Sequence, residues 1–325
     1  MSNRANLVKG MVNDAYDYAI ESYNDKPIVF PQIFDVESTE GAYEQYTSVV
    51  GPGNFARVAE GGSIPNQPIV EGFTVYVANF KHAVECIITN EAIDDNRHIK
   101  NMLKSWSQGL GSQARITQED EHAGLFNYGG YTAGHELFLN DIPGGTLTTS
   151  YGNKCYDSVC FFNKSDNLRT AKSTLQYYNG FATLQLNEAN LEAMFNLLSV
   201  TNAFSEAGKR IELMPDTLLV KYGSANWWTA KRLLESSASV TAVQSGVKNL
   251  WQGALTLIGW TALTDSDAWF MGCAKKGLKS LARMPLAIDY YENKNIDSQI
   301  VRGRTRSGRG VQNFRYWAGA NFSTS

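Results

Sequence analysis

The sequence predicts an α+β chain, and three observations carry that expectation. With 43% hydrophobic and 19% charged residues across 325 positions, the chain can bury a sizeable core and lacks the composition of disorder. Apolar residues from Ile99 to Ala114 step at three and four positions, the stripe of an amphipathic helix. Elsewhere, short runs rich in β-branched and aromatic residues lie between glycines and prolines, as strands do. The length allows two domains or one elaborated domain.

The first element reads as a helix. In "MSNRANLVKGMVNDAYDYAIESY", Leu7, Met11, Ala15 and Tyr18 recur at helical spacing, and the stretch lacks the apolar core of a signal peptide. The following "NDKPIVFPQIFDVESTEGAYEQYTSVVGPGNF" is irregular. Pro27, Pro31 and Pro52 interrupt it, while Val29, Phe30, Ile33, Phe34, Tyr43 and Tyr46 supply anchors. It reads equally well as an extended arm that docks elsewhere and as an N-terminal strand of a core sheet. In "FARVAEGGSIPNQPIVEGFTVYVANF", residues 55–80, two strand-like runs flank a segment punctuated by Gly61, Gly62, Pro65, Pro68 and Gly72, which predicts a hairpin. Its second arm sets Phe73, Val75 and Val77 on one face and Tyr76 and Phe80 on the other.

Residues 84–89 continue the strand. Asn90 is placed to cap a helix, with Glu91, Asp94 and Asp95 at its positive end. Ile99, Met102, Leu103, Trp106, Leu110 and Ala114 then extend one helical stripe. A helix from about Ala92 to Phe126 spans roughly 35 residues, or about 50 Å. Gly109 and Gly111 near its middle mark a bend or a close packing contact. From Gly129 to Lys164 the chain, rich in Gly, Thr and Asn, reads as a surface excursion.

Residues 166–275 form a separate α/β lobe. A helix carries Leu191, Met194, Phe195, Leu198 and Ala203. A strand runs through Leu218, Leu219 and Val220, a second helix carries Trp227, Trp228, Leu233 and Leu234, and further strands follow in "LWQGALTLIGWTALTDSDAWFMGC". The C-terminal region gives strands around Leu286–Tyr291, Ser298–Arg306 and Val311–Trp317, with Ser307, Gly308 and Gly310 turning the last pair into a hairpin.

The search for chemistry finds no catalytic, cofactor or metal site. The four histidines, at 82, 98, 122 and 135, never pair one helical turn apart beside a carboxylate, so "EDEH" at 119–122 reads as a solvated acidic helix end. Cys86, Cys155, Cys160 and Cys273 are too few and scattered for a disulfide framework and read as free thiols. Asp94–Asp95 and Asp265/Asp267 suit caps and turns. No phosphate loop, dinucleotide fingerprint or nucleophile elbow occurs. A net charge of −3 argues against a dedicated nucleic-acid binder, and no apolar run reaches membrane-spanning length. One basic cluster remains: Arg302, Arg304, Arg306 and Arg309, read as a solvated or intersubunit rim whose guanidinium forks suit carboxylates on a neighbouring chain.

Three stretches, "EGGSIPNQPIVEGFTVYVANFKHAVECIITNEAIDDN", "LMPDTLLVKYGSANWWTAKRLLES" and "DSDAWFMG", taken in this order and spacing, make the chain resemble the tailed-phage major capsid proteins, and among them the Mu-like major head subunits. The resemblance covers nearly the whole chain. It implies the tailed-phage (duplodnaviral) major capsid fold: an N-terminal arm (1–54), an extended loop (55–81), a peripheral domain with spine helix and excursion (82–165), an axial domain (166–275), and strands returning to the peripheral domain (276–325). It implies a structural protein with no enzymatic role and no cofactor. Its copies form hexamers and pentamers of an icosahedral head, assembled in the bacterial host cytoplasm and carried in the virion. Implied partners are other copies of the chain, portal and scaffolding proteins, optionally a decoration protein, and packaged double-stranded DNA touched weakly and non-specifically; no membrane is involved. An encapsulin-type shell enclosing enzyme cargo is the alternative, and a free-standing hydrolase a distant third. Arms of around 10 residues reach on the order of 30 Å, so Phe73, Val75, Val77 and Phe80 are expected to be covered by a neighbouring subunit, at about 1.5–3 kcal/mol each. Some capsids of this fold weld subunits through a lysine in the extended loop; none lies between Arg57 and Lys81 here, so no covalent mesh is expected.

Overall fold

The structure is a computed structural model that describes residues 16–50, 55–66, 69–95, 99–131, 155–157, 159–164, 169–170, 176–205, 208–239 and 247–324. Leu7, Met11, Ala15, His98 and the 134–136 segment lie outside them. A helix over residues 16–25 (α1) and a short turn Phe30–Ile33 (α2) lead into β1 (Asp35–Ser38) and β2 (Tyr43–Val50). The 20-residue β3 (Val70–Thr89) is followed by α3 (Asn90–Asp95) and the 29-residue α4 (Ile99–Asn127), about 44 Å long. Then come β4 (Arg169–Thr170) paired with β5 (Gln176–Tyr177), β6 (Gly180–Phe181), α5 (Glu188–Asn196), β7 (Thr217–Lys221), α6 (Ala225–Glu235), β8 (Thr256–Trp260) and β9 (Trp269–Gly272). The chain closes with β10 (Leu278–Asn293), β11 (Ser298–Val311) and β12 (Trp317–Ala320).

Two five-stranded sheets result. The first has the order β1-β10-β11-β3-β2, antiparallel except for β1 beside β10. Lys279 fixes that parallel edge by pairing with both Asp35 (2.5 Å) and Glu37 across the two strands. The second has the order β6-β12-β9-β7-β8. Side-chain alternation buries β7 and β9 on both faces. Leu218, Val220, Trp269 and Met271 pack against Leu191 and Met194 of α5 and Leu233 and Leu234 of α6. Leu219 and Phe270 point the other way, into an aromatic core with Phe126, Phe162, Trp260 and Trp317. Sequence capping drives the lobe's helices: Asn187 and Ser224 side chains accept from Asn190 N (2.8 Å) and Trp227 N (3.2 Å).

The long helix bridges both layers. Leu103 of its first half packs with Val301 of the first sheet, and Ala123, Leu125 and Phe126 of its last turns enter the aromatic core. α1 crosses it where Gly111 has no side chain: a Cβ there would lie 2.0 Å from Ala19 O. Gly109 has nothing within 4 Å of the same position. Thr89, rather than Asn90, caps α3, its Oγ1 accepting from Ala92 N at 3.3 Å.

Several expectations are corrected. The strand partner of β3 in the hairpin is β2, and residues 55–66 form no strand. Gly61, Gly62 and Pro65 deny this stretch the alternation a ladder needs. Residues 28–50 are no free arm, because Phe30, Ile33 and Phe34 are buried in the chain's own core and β1 and β2 edge its first sheet. β11 runs unbroken through Ser307, Gly308 and Gly310. These two glycines permit close approach instead of a turn, since Cβ atoms there would meet Ala78 O at 2.4 Å and Val77 Cγ2 at 2.6 Å. The reversal falls earlier, at residues 294–297, where Asp297 holds φ +40°. Nor do all the C-terminal strands return to the first sheet: β12 lies inside the second, between β6 and β9.

Candidate functional site

With no chemistry legible in the sequence, the surfaces able to hold another chain are the candidate site. The hairpin residues named from the sequence lie nearer the body than expected. Val77 is fully buried by its own chain, against Gly310 of β11, and has no surface to give a neighbour. Phe73 stacks on Tyr156 with ring centroids 4.1 Å apart, and the Arg309 guanidinium sits 5.9 Å from the Phe80 ring. Phe73, Val75 and Phe80 are half-buried. Pairing explains the correction: Phe73, Val75 and Val77 lie along the part of β3 that β2 flanks, and Phe80 lies opposite Ser307 of β11, so their own chain covers part of each.

Within the hairpin, the most exposed apolar side chains are at the far end. Phe55 is 99% exposed, Ile64 82% and Ile69 85%. Sequence reading passed over them because no period relates them, and the prolines beside them signal loop. Their signal is isolation: large apolar residues inside a Gly/Pro-rich segment, where a self-contained loop carries polar ones.

The arginine row divides by parity. Arg302 and Arg304, two apart on one face of β11, both engage Asp289 of β10, at 3.1 and 2.9 Å, and Arg306 on that face is half-buried. Arg309 is offset by an odd number and points to the opposite face, beneath α4. It is buried there and meets Glu121 Oε2 at 3.4 Å. The expectation of a rim holds no place for Arg309, and the Asp289 carboxylate that faces Arg302 and Arg304 belongs to their own chain.

Glu121 also pairs with His82 Nε2 at 2.9 Å, so one buried carboxylate joins β3, α4 and β11. Burial alone raises its pKa, but the His82 hydrogen bond and the Arg309 charge outweigh it and hold the carboxyl below its ordinary value. The neighbouring His122 is stacked on Phe30 at 4.1 Å and lies within hydrogen-bond reach of Gln118 O (2.6 Å) and Ser280 Oγ (2.7 Å). Burial lowers its pKa to about 4. Glu119 accepts from Val29 N (2.6 Å), Phe30 N (3.4 Å) and Trp260 Nε1, tying α2 and β8 to the long helix. In "EDEH", read from the sequence as a solvated helix end, Glu121 and His122 are buried and Glu119 is half-buried at this junction, and Asp120 alone faces solvent, because α4 continues past the segment into the core. Among the described residues no group of histidine, cysteine, aspartate or glutamate side chains is arranged to hold a metal. No helix there is long and apolar enough to cross a membrane.

A groove of about 420 Å³ opens between α4 and the first sheet, lined by His82, Val84, Leu110, Ala114, Leu286 and Arg304 among others. Beside it, β3 has β11 on one side. Past Ala78, where β2 ends, no described strand covers the other.

Residues 81–320 match a family model described as phage capsid protein. A structure from Mycobacterium phage Patience is 10% identical and covers 99% of this chain and 89% of its own, with a TM-score of 0.56. The capsid structure of the cyanophage P-SCSP1u is 11% identical, covering 92% and 89%, with a TM-score of 0.54. The capsid of an empty GTA particle is 10% identical, covering 92% and 91%, at 0.50. At such identities the likeness is one of fold. No curated protein sequence matches the chain.

Proposed function

This chain belongs to the phage capsid protein family and has the tailed-phage major capsid fold, and from that premise we propose how it builds a shell. Copies close into hexamers and pentamers of an icosahedral head that encloses double-stranded DNA. The observation that carries the reading is the exposed Phe55, Ile64 and Ile69 in the segment that joins β2 to β3: large apolar side chains left open together mark a surface that another chain covers. In this reading residues before 28, whose α1 packs on the chain's own α4, form the arm and the β2–β3 hairpin the extended loop. The first sheet with α4 is the peripheral domain, and the second sheet with α5 and α6 the axial domain.

Within the family, the stretches quoted above support a place near the Mu-like major head subunits. Portal and scaffolding proteins, an optional decoration protein, and assembly in the host cytoplasm complete the proposal. With a net charge of −3, the wall leaves packaged DNA mobile rather than adsorbed. Electron microscopy of the expressed protein tests the reading. Closed shells are expected; chains that stay single at every concentration overturn it. Nucleic acid inside particles recovered from infected cells separates a virion from an encapsulin-type compartment holding enzyme.

A further inference from the structure

We propose that residues 55–59 of one copy add as an antiparallel strand to the open edge of β3 in a second copy, at residues 83–87, with Ala56 opposite Cys86. The proposal rests on the reading that copies of this chain pack together. An uncovered strand edge presents unpaired N–H and C=O groups and is a ready template for another strand. This one also carries apolar side chains open to solvent: Val84 is 53% exposed and Ile87 51%. Residues 55–59 are exposed, outside any helix or strand, and end in a turn where Gly62 N donates to Ala59 O at 2.8 Å.

The register follows from matching the two sequences. Antiparallel, Phe55 meets Ile87, Ala56 meets Cys86, Arg57 meets Glu85, Val58 meets Val84, and Ala59 meets Ala83. Apolar pairs and one opposite-charge pair thus fall directly opposite each other, the unit of sheet stabilisation. Sliding by one residue either way sets Arg57 against Val84 or Cys86 and loses the ion pair. Strand alternation supplies a second match. Val84 lines the groove beside Leu110 and Ala114, so Val58, on the same face, enters that groove. Phe55 and Arg57 fall on the opposite face, where Glu85 Oε2 accepts from Tyr291 Oη at 3.1 Å.

The donor strand must come from another copy. Val50 is opposite Val70, so Phe55 lies at most about 18 Å from that end of β3. Residue 87 is 17 positions further along, or about 55 Å. A chain that gives one strand and accepts another makes a heterologous contact, the kind that closes rings.

The test is a cysteine placed at the matching position. Directly opposite residues in an antiparallel pair have Cα atoms about 4.5–5.5 Å apart, within disulfide range. Assembled particles of the Ala56→Cys variant, treated with a mild oxidant, are expected to give a ladder of disulfide-linked chains on non-reducing electrophoresis. Adding Cys86→Ser abolishes the ladder, and Ala59→Cys, which faces Ala83, gives single chains. Shells visible by microscopy without the Ala56→Cys ladder, or with an equal ladder from Ala59→Cys, overturn the pairing. Failure of the unmodified chain to form shells sinks the assembly reading instead.

Discussion

Two glycines one helical turn-fraction apart on α4 have opposite roles. At Gly111 a methyl group would press into Ala19 O of α1, so Gly111→Ala is expected to cost about 2 kcal/mol by forcing the helices apart. Gly109 faces open space, and Gly109→Ala is expected to stabilise by up to about 1 kcal/mol through helix propensity. Urea unfolding of the two variants checks the split, which vanishes, with both variants stabilised, if helix propensity rather than packing governs both. His122 sets an acid limit. The unfolded chain takes up this proton near pH 6.5 and the folded chain only near about 4, because burial disfavours the imidazolium. Between those values the unfolded state binds more protons, so stability falls as pH drops through that window, by on the order of 3 kcal/mol in full. Glu121, held below its ordinary pKa, adds a loss in the same direction at lower pH. Denaturation midpoints measured from pH 7 to 4 should fall, and His122→Gln should flatten the slope above pH 4 while lowering the plateau.

At the scale of elements, α4 is a strut that one carboxylate locks to two others. Glu119 holds the start of α2 through Val29 N and Phe30 N and the end of β8 through Trp260. Hydrogen bonds to a charged group contribute about 1.5–3 kcal/mol each, and their removal leaves buried donors unpaired. Glu119→Ala is expected to destabilise by about 3 kcal/mol or more and to loosen residues 28–34. Hydrogen exchange at those amides reads the second effect; unchanged protection there would mean that Phe30, Ile33 and Phe34 hold the segment without the carboxylate.

For the whole molecule, the absence of a lysine between Arg57 and Lys81 separates two ways of making a durable shell. Assembled, heat-treated particles should run as a single monomer band under reducing, denaturing conditions. A ladder under those conditions would reveal a covalent mesh made by other residues. In the proposed shell, durability would be a sum over many non-covalent contacts, each contributing about 1.5–3 kcal/mol where a side chain such as Phe55 becomes fully buried.

The sequence by itself determined the long helix, the helices of the second lobe and its central strands. The long stripe on α4, the apolar faces of the lobe's helices, and the core strands Leu218–Val220 and Trp269–Met271 follow from the spacing and type of apolar residues, which is near-neighbour physics. What only the tertiary structure decided was which strand pairs with which and which face is covered. Gly308 and Gly310 read as a turn until β3 is laid against them, and Arg309 reads as surface until parity sets it under α4. Val77 reads as available until Gly310 fills the space beside it, and β12 joins the second sheet from the far end of the chain. Pairing and coverage depend on residues far apart in sequence, and no local pattern encodes the distance between them.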